Sequence, residues 1–189
     1  MKISALILAA GKGSRIGTPK LMLEVNDKSF VNVITDKVKN AGIEDIYCTV
    51  SEDTFEWAKK NIEHCKIVVN PEPEKGMISS VYYGMKQIHD VDYIMIIPVD
   101  HPFVEYDTYK ILLLESERKA DTIIKPRYKG KSGHPVIVPY DLVKDIDGEK
   151  LNDGLDRIIK NSAFNRIFVD VNDIGVLKNV NTKEDLQYK

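Results

Sequence analysis

The 189-residue chain is 43% hydrophobic with only two cysteines, enough apolar material for one core without disulfides. Its 27 Lys and Arg against 29 Asp and Glu give a formal charge of -2, which offers no general basic field and argues against a nucleic-acid partner. No apolar run approaches the ~20 residues that span a bilayer, and the short run after Lys2 is not a signal peptide, so no membrane partner and a cytoplasmic location are expected.

In chain order, Ile3 to Ala9 reads as a strand buried on both faces. It runs into Ala10-Gly11-Lys12-Gly13-Ser14-Arg15-Ile16-Gly17-Thr18-Pro19-Lys20, a glycine-rich turn holding three cations. Glycines there let backbone N–H groups approach phosphate oxygens, and Lys12, Arg15 and Lys20 supply countercharge, which suits a nucleoside triphosphate. The spacing is neither a Walker A loop, because Gly13 is followed by Ser14 and Arg15, nor a dinucleotide fingerprint, because the glycines run G-x-G-x-x-x-G before Pro19. A plain strand-to-helix turn with solvated cations is the competing reading.

Further strands are expected at Ile46 to Val50, Lys66 to Val69, Tyr93 to Val99, Thr122 to Lys125, Pro135 to Val138 and Arg166 to Val171. Helical spacing links Phe30, Val33, Ile34, Val38 and Ala41 up to Gly42, then Met77, Val81, Met85 and Ile88, then Tyr109, Leu112, Leu113 and Ser116. Alternating β and α elements predict one α/β domain over residues 1–189, a three-layer α/β/α sandwich around a mostly parallel twisted sheet. Functional loops then fall at the carboxyl ends of the strands, near the point where strand order reverses. Lys129 to Asn161 is the least regular region, and Lys129 to Gly133 reads as a mobile loop near the acceptor. Cys48 and Cys65, each in an apolar stretch, read as buried structural thiols.

Leu8-Ala9-Ala10-Gly11-x-Gly13-x-Arg15-x-Gly17-x-Pro19-Lys20 resembles the signature of nucleotidyltransferases that carry an NTP on their first loop. Asn70-Pro71 with Gly76-Met77-Ile78-Ser79-Ser80, Pro98-Val99-Asp100-His101-Pro102, Gly133-His134-Pro135 and Asn179-Val180-Asn181-Thr182 with Glu184-Asp185-Leu186 extend the likeness along the chain. Together they are similar to the MobA-like NTP transferases, and within them to the molybdenum-cofactor (molybdopterin) cytidylyltransferases. The resemblance implies a nucleotide-diphospho-sugar transferase-like, Rossmann-like fold. It also implies Mg²⁺-dependent transfer of CMP from CTP to a phosphate-bearing acceptor such as molybdopterin, with release of pyrophosphate. Ala10 resembles the cytidylyltransferase form, whereas guanylyltransferases usually carry a second glycine there.

The resemblance gives Lys20 to the α-phosphate and Arg15 to the β- and γ-phosphates, where a planar guanidinium suits paired oxygens. Leu8, Ala9, Ala10, Gly11, Lys12, Gly13, Gly76, Ser79 and Ser80 are the expected nucleotide-binding set; Ser79 and Ser80 also suit a simple helix start. Asp100, at the end of a rigid strand, is the expected Mg²⁺ ligand and also suits a turn cap. Asn181 is the second candidate ligand, with Asn179 competing and helix capping the alternative for both. Cytidylyltransferases often show Asp-x-Asp-Thr-Pro here, so this chain replaces two carboxylates by amides. His101 and His134 are candidate acceptor residues, a structural role being equally compatible; a phosphate acceptor is already anionic and needs no general base. Asp153 and Arg157 resemble part of a late family motif, although Asn152 and Leu155 replace its usual glycines. Two further functions stay open: transfer to a sugar or small alcohol phosphate, and a noncatalytic nucleotide-binding factor serving a molybdenum hydroxylase.

Overall fold

The computed structural model describes every residue except Lys12, Ser14, Arg15, residues 148–150, Asn152, Asp153, Lys183 and residues 188–189. Ten strands are described: β1 (Ile3–Leu8), the two-residue arms β2 (Glu24–Val25) and β3 (Lys28–Ser29), β4 (Ile46–Ser51), β5 (Lys66–Asn70), β6 (Tyr93–Pro98), β7 (Thr122–Tyr128), β8 (Lys131–Ser132), β9 (Val136–Pro139) and β10 (Asn165–Asp170). The helices are α1 (Phe30–Asn40), α2 (Glu52–Asn61), α3 (Met77–Met85), α4 (Tyr106–Arg118), α5 (Tyr140–Val143) and α6 (Leu155–Asn161).

The large sheet has eight strands in the order β10-β7-β9-β6-β1-β4-β5, with β8 paired to β7. Only β9 and β8 run antiparallel to their neighbours. From β1 the chain steps outward through β4 to β5, then returns across β1 to β6. Strand order therefore reverses between β1 and β6, where open α/β sheets place their ligands.

Two apolar clusters sandwich the sheet. Alternation along β1 sends Ala5 and Ile7 to one face and Leu6 and Leu8 to the other; Met95 and Ile97 against Ile94 and Ile96 repeat the pattern in β6. The first face is covered by Phe30, Val31, Ile34 and Val38 of α1, Ala58 of α2 and Tyr109 and Leu112 of α4. The second takes Ile78, Val81 and Met85 of α3, Val143 of α5 and Leu155 and Ile159 of α6. Each such Val, Leu, Ile, Met or Phe side chain, fully buried, is worth about 1.5–3 kcal/mol of transfer free energy.

Strand positions match the sequence expectations to within a few residues. The helix α2 was not expected; its weak apolar stripe is offset by Glu52 and Asp53 in the first turn and Lys59 and Lys60 in the last, charges that complement the helix dipole. The expected mobile loop at Lys129 to Gly133 is instead a tight hairpin. Lys129 and Gly130 both take positive φ, 46° and 81°, and join β7 to β8 in the manner of a type I′ turn. Gly133 then lies so close to Val176 that a Cβ would sit 1.9 Å from its carbonyl oxygen. Gly133→Ala is expected to force these backbones apart and lower stability by about 1–3 kcal/mol, whereas Gly42→Ala, at φ 110° but in open space, costs about 1 kcal/mol; urea denaturation of both variants measures the difference.

Candidate functional site

The reversal point carries a cavity of about 210 Å³ lined by Leu8, Ala10, Gly11, Gly13, Lys20, Pro73, Gly76, Met77, Ser80, Pro98, Val99 and Asp100. Its walls come from loops after β1, β5 and β6. In the first loop Gly13 takes φ +59, and a Cβ there would meet Thr18 O at 2.2 Å, so both dihedral and space demand glycine. The Gly13 carbonyl accepts from Ile16 N–H and Gly17 N–H at 3.0 Å each, which folds the loop back on itself.

Pro19 then starts a short 3-10 turn, Lys20–Met22, anchored by fully buried Leu21. That turn aims Lys20 at the cavity. Its Nζ donates to Asp100 Oδ2 at 2.7 Å and to Asn181 Oδ1 at 2.7 Å. Asp100 is set by Pro98, where β6 stops, and by its own carbonyl, which accepts from Val180 N–H at 2.8 Å. Asn181 is fixed through its backbone, because the Asp185 carboxylate accepts from the N–H groups of Asn181 and Thr182 at 2.8 Å each. Those two donors hold the Asp185 carboxyl below the usual carboxylate range. Asn179, the competing amide, is exposed.

Two of the expected nucleotide-binding residues do not line the cavity. Ala9 is buried in the core beneath α1, and Ser79 is fully buried; its hydroxyl donates to Gly76 O at 2.8 Å and accepts from Asn70 Nδ2 at 2.9 Å. Ser80 does face the cavity, while also accepting from Asn70 Nδ2 at 3.0 Å. Lys12 and Arg15 lie outside the described residues, as does Asp153.

His101 and His134 are brought together, ring centroids 5.1 Å apart, and His101 Nε2 lies 3.8 Å from Asp100 Oδ1. Nδ1 of each ring is buried without a hydrogen-bond partner among the described residues. Burial lowers the His101 imidazole, and burial with the neighbouring His101 pushes His134 down to about 4. Both rings are therefore neutral near pH 7.

Two braced groups, Asp173 and Lys37, escaped the sequence reading, and Asn70, singled out there only as part of a motif, has a structural role. Asn70, fully buried, ties both ends of its loop, since its Oδ1 accepts from Glu72 N–H at 2.9 Å while its Nδ2 reaches both serines. Asp173, 3% exposed, accepts from Glu105 N–H, Thr108 Oγ1 and Gly175 N–H, and so joins the segment after Asp100 to the one before Asn181. Lys37 of α1 donates to the carbonyls of Pro102 at 2.8 Å and Val104 at 2.7 Å. Asp185 had a signal in the Thr182-x-x-Asp185 spacing of a capping box; Lys37 had none, and for Asp173 only the local cap to Gly175 N–H was within reach of sequence, because the other partners of both residues lie 65 or more residues away.

Residues 5–167 match the family described as the MobA-like NTP transferase domain. The chain belongs to that family, and its domain is a nucleotidyltransferase domain. Among curated relatives it is 29% identical over 160 residues to the bifunctional protein GlmU of Clostridioides difficile, covering 80% of this chain but 34% of that protein. It is 24% identical to a probable molybdenum cofactor guanylyltransferase of Geobacillus, over 65% of this chain and 63% of the relative. It is also 24% identical to the nicotine blue oxidoreductase of Paenarthrobacter nicotinovorans, over 97% and 94%. The chain thus spans about a third and under two thirds of the first two proteins. The crystal structure of Rv0371c from Mycobacterium tuberculosis superposes with a TM-score of 0.79 at 21% identity, covering 98% of this chain and 95% of that one, which supports the fold.

Because His134 is held neutral in the folded chain while an unfolded histidine titrates near 6.5, the unfolded state binds more protons between those values. Stability is fully present above about 6.5 and is lost as pH falls toward about 4. The urea midpoint should drop across that window, and His134→Gln should flatten this part of the profile; an unchanged slope in the variant would exclude His134 as the cause.

Proposed function

We propose that the cleft binds a nucleoside triphosphate and transfers its nucleoside monophosphate to a phosphate-bearing acceptor, releasing pyrophosphate. The observation that carries this reading is the convergence of Lys20, Asp100 and Asn181 at the rim of a glycine-walled cavity. Attack on the α-phosphorus spreads negative charge over its oxygens, and the Lys20 ammonium offsets that charge where the barrier is highest. Asp100 orients Lys20 in the free protein, and the loop amides around Gly11 and Gly13 offer donors to the phosphates.

The donor set suits Mg²⁺. Asp100 Oδ2 and Asn181 Oδ1 are hard oxygens that already point at one cation, and one charge with one amide leaves positions for water and phosphate oxygens. No group of three or more His, Cys, Asp or Glu with metal-binding placement occurs among the described residues, so the protein alone does not form a closed cage. Mg²⁺, when bound with the nucleotide, would neutralise phosphate charge and orient the leaving group.

The acceptor has room beside the nucleotide. A second cavity of about 480 Å³ shares Gly76 and Met77 with the first and is lined by Lys75, Arg157 and Lys160 along with Asp156. Three cations favour an anionic acceptor, and an acceptor phosphate attacks through an oxygen already ionised at neutral pH, without a general base. Neutral His101 and His134 fit hydrogen bonding to the acceptor rather than proton removal. A molybdopterin-like phosphate is the acceptor to test first, since the Geobacillus relative is named for the molybdenum cofactor. CTP is the first nucleotide to test because of Ala10, and GTP the second because that relative is named a guanylyltransferase.

Calorimetric titration of CTP, GTP, ATP and UTP with Mg²⁺, joined to a pyrophosphate-release assay, tests the reading. Lys20→Ala and Asp100→Ala should each cut turnover by about 10²–10³. Nucleotide binding with no product for any phosphate acceptor would favour an accessory binding factor, and no binding would sink the proposal. Asn181→Asp should lower the Mg²⁺ concentration for half-maximal activity by adding charge to the ligand set; an unchanged Mg²⁺ profile would remove Asn181 from it. The near full-length likeness to a protein named an oxidoreductase adds one arm, in which a redox dinucleotide competes with the NTP for the cleft.

A further inference from the structure

One end of the sheet is open. β10 pairs in parallel with β7 from Asn165 opposite Thr122 to Asp170 opposite Arg127, and among the described residues no strand lies on its other side. Val171 N–H donates to Arg127 O at 2.9 Å, so the odd-numbered positions of this segment turn their backbone groups toward β7. By alternation, the N–H and C=O groups of Arg166, Phe168 and Asp170 point away from the sheet. All three side chains are exposed, Phe168 by 47%. Other large apolar side chains exposed near this end are Ile111 and Leu114 of α4, the helix that packs on β7, and Ile174, just after β10. An exposed edge with an apolar centre invites pairing unless something covers it.

We propose that β10 is a self-association edge, pairing antiparallel with β10 of a second copy about a two-fold axis at Phe168. In that register Phe168 faces Phe168 of the second copy, and Arg166 of each chain faces Asp170 of the other. The three pairs at positions 166, 168 and 170 are all of the outward-pointing kind, so each exchanges both backbone hydrogen bonds. Slipping by one residue sets outward groups against inward ones. Slipping by two sets Arg166 against Phe168 and Asp170 against Phe164, which loses both charge pairs. The strand's own sequence therefore selects this register.

Charges on an edge strand usually deter pairing. Here their order along the strand, cation, aromatic, anion, is self-complementary under a two-fold axis. Asp170 already accepts from Arg127 Nε at 2.7 Å and NH2 at 2.8 Å, and a carboxylate has lone pairs for another donor. Arg127 also lies 5.7 Å from the Phe168 ring centroid, which holds that ring at the edge. Such a strip is small for an interface, so the expected dimer is weak and dissociates on dilution. It is independent of what the cleft binds.

Sedimentation velocity over a micromolar-to-millimolar series should show a concentration-dependent dimer. Arg166→Glu, which sets two carboxylates face to face, should weaken it at least about tenfold, while Arg166→Lys should keep it. The register is tested by Phe168→Cys: hydrogen-bonded antiparallel partners have Cα atoms about 5.5 Å apart, within disulfide reach. With oxidised glutathione, which takes the two electrons and leaves as two reduced glutathiones, this variant should form a covalent dimer. The parent chain, with Cys48 and Cys65 only, and Asn165→Cys, which would face Val171, should not. A monomer throughout the series, or Phe168→Cys cross-linking no faster than Asn165→Cys, overturns the proposal.

Discussion

The Lys20 ammonium lies 2.7 Å from oxygens of both Asp100 and Asn181, and these three residues come from the first loop, the end of the central β6 strand and the last segment of the chain. Holding two polar oxygens toward one point is unfavourable unless a cation sits there, so the ammonium is what permits the convergence. All three side chains are partly shielded, Lys20 and Asp100 at 19% and 21% exposed, which strengthens their attraction relative to a surface pair. The two walls of the cleft are tied together at this contact.

Around it, second contacts keep each member in place through backbone rather than side chain. Val180 N–H bonds the Asp100 carbonyl, Asp185 collects the N–H groups of Asn181 and Thr182, and His134 N–H donates to Val176 O at 2.9 Å. Buried Asp173 links Glu105 and Thr108 to Gly175, so the segments that present Asp100 and Asn181 are tied to each other. On the proposed function this is the preorganisation that phosphoryl chemistry rewards, since most of the barrier lowering comes from fixed charge at fixed distance.

The opposite wall is built differently. The loop after β5 contributes no charge at the cavity, only Pro73, Gly76, Met77 and Ser80, and Asn70 holds it by three hydrogen bonds from beneath. A wall of small and apolar groups suits a flat base, whereas the cation-bearing cavity beyond Gly76 suits an anion. Charge and shape are thus segregated on the two sides of a single loop.

The sequence by itself determined the alternation of strands and helices, the both-faces burial of β1 and the glycine-rich turn that follows it, because each depends on local periodicity or turn chemistry. Asp100 stood out at the end of an apolar strand, whereas Lys20 and Asn181 were marked by the resemblance of their motifs. Only the tertiary structure decided that these three meet, that Asn181 and not Asn179 faces Lys20, and that Ser79 turns inward while Ser80 lines the cleft. It alone showed that Lys129 to Gly133 is a hairpin turn and that Asp173 and Lys37 brace the site. The reason is range: hydrophobic period and turn chemistry act within a few residues, whereas Lys20 and Asn181 are 161 residues apart in sequence and find each other only through the strand order of the sheet.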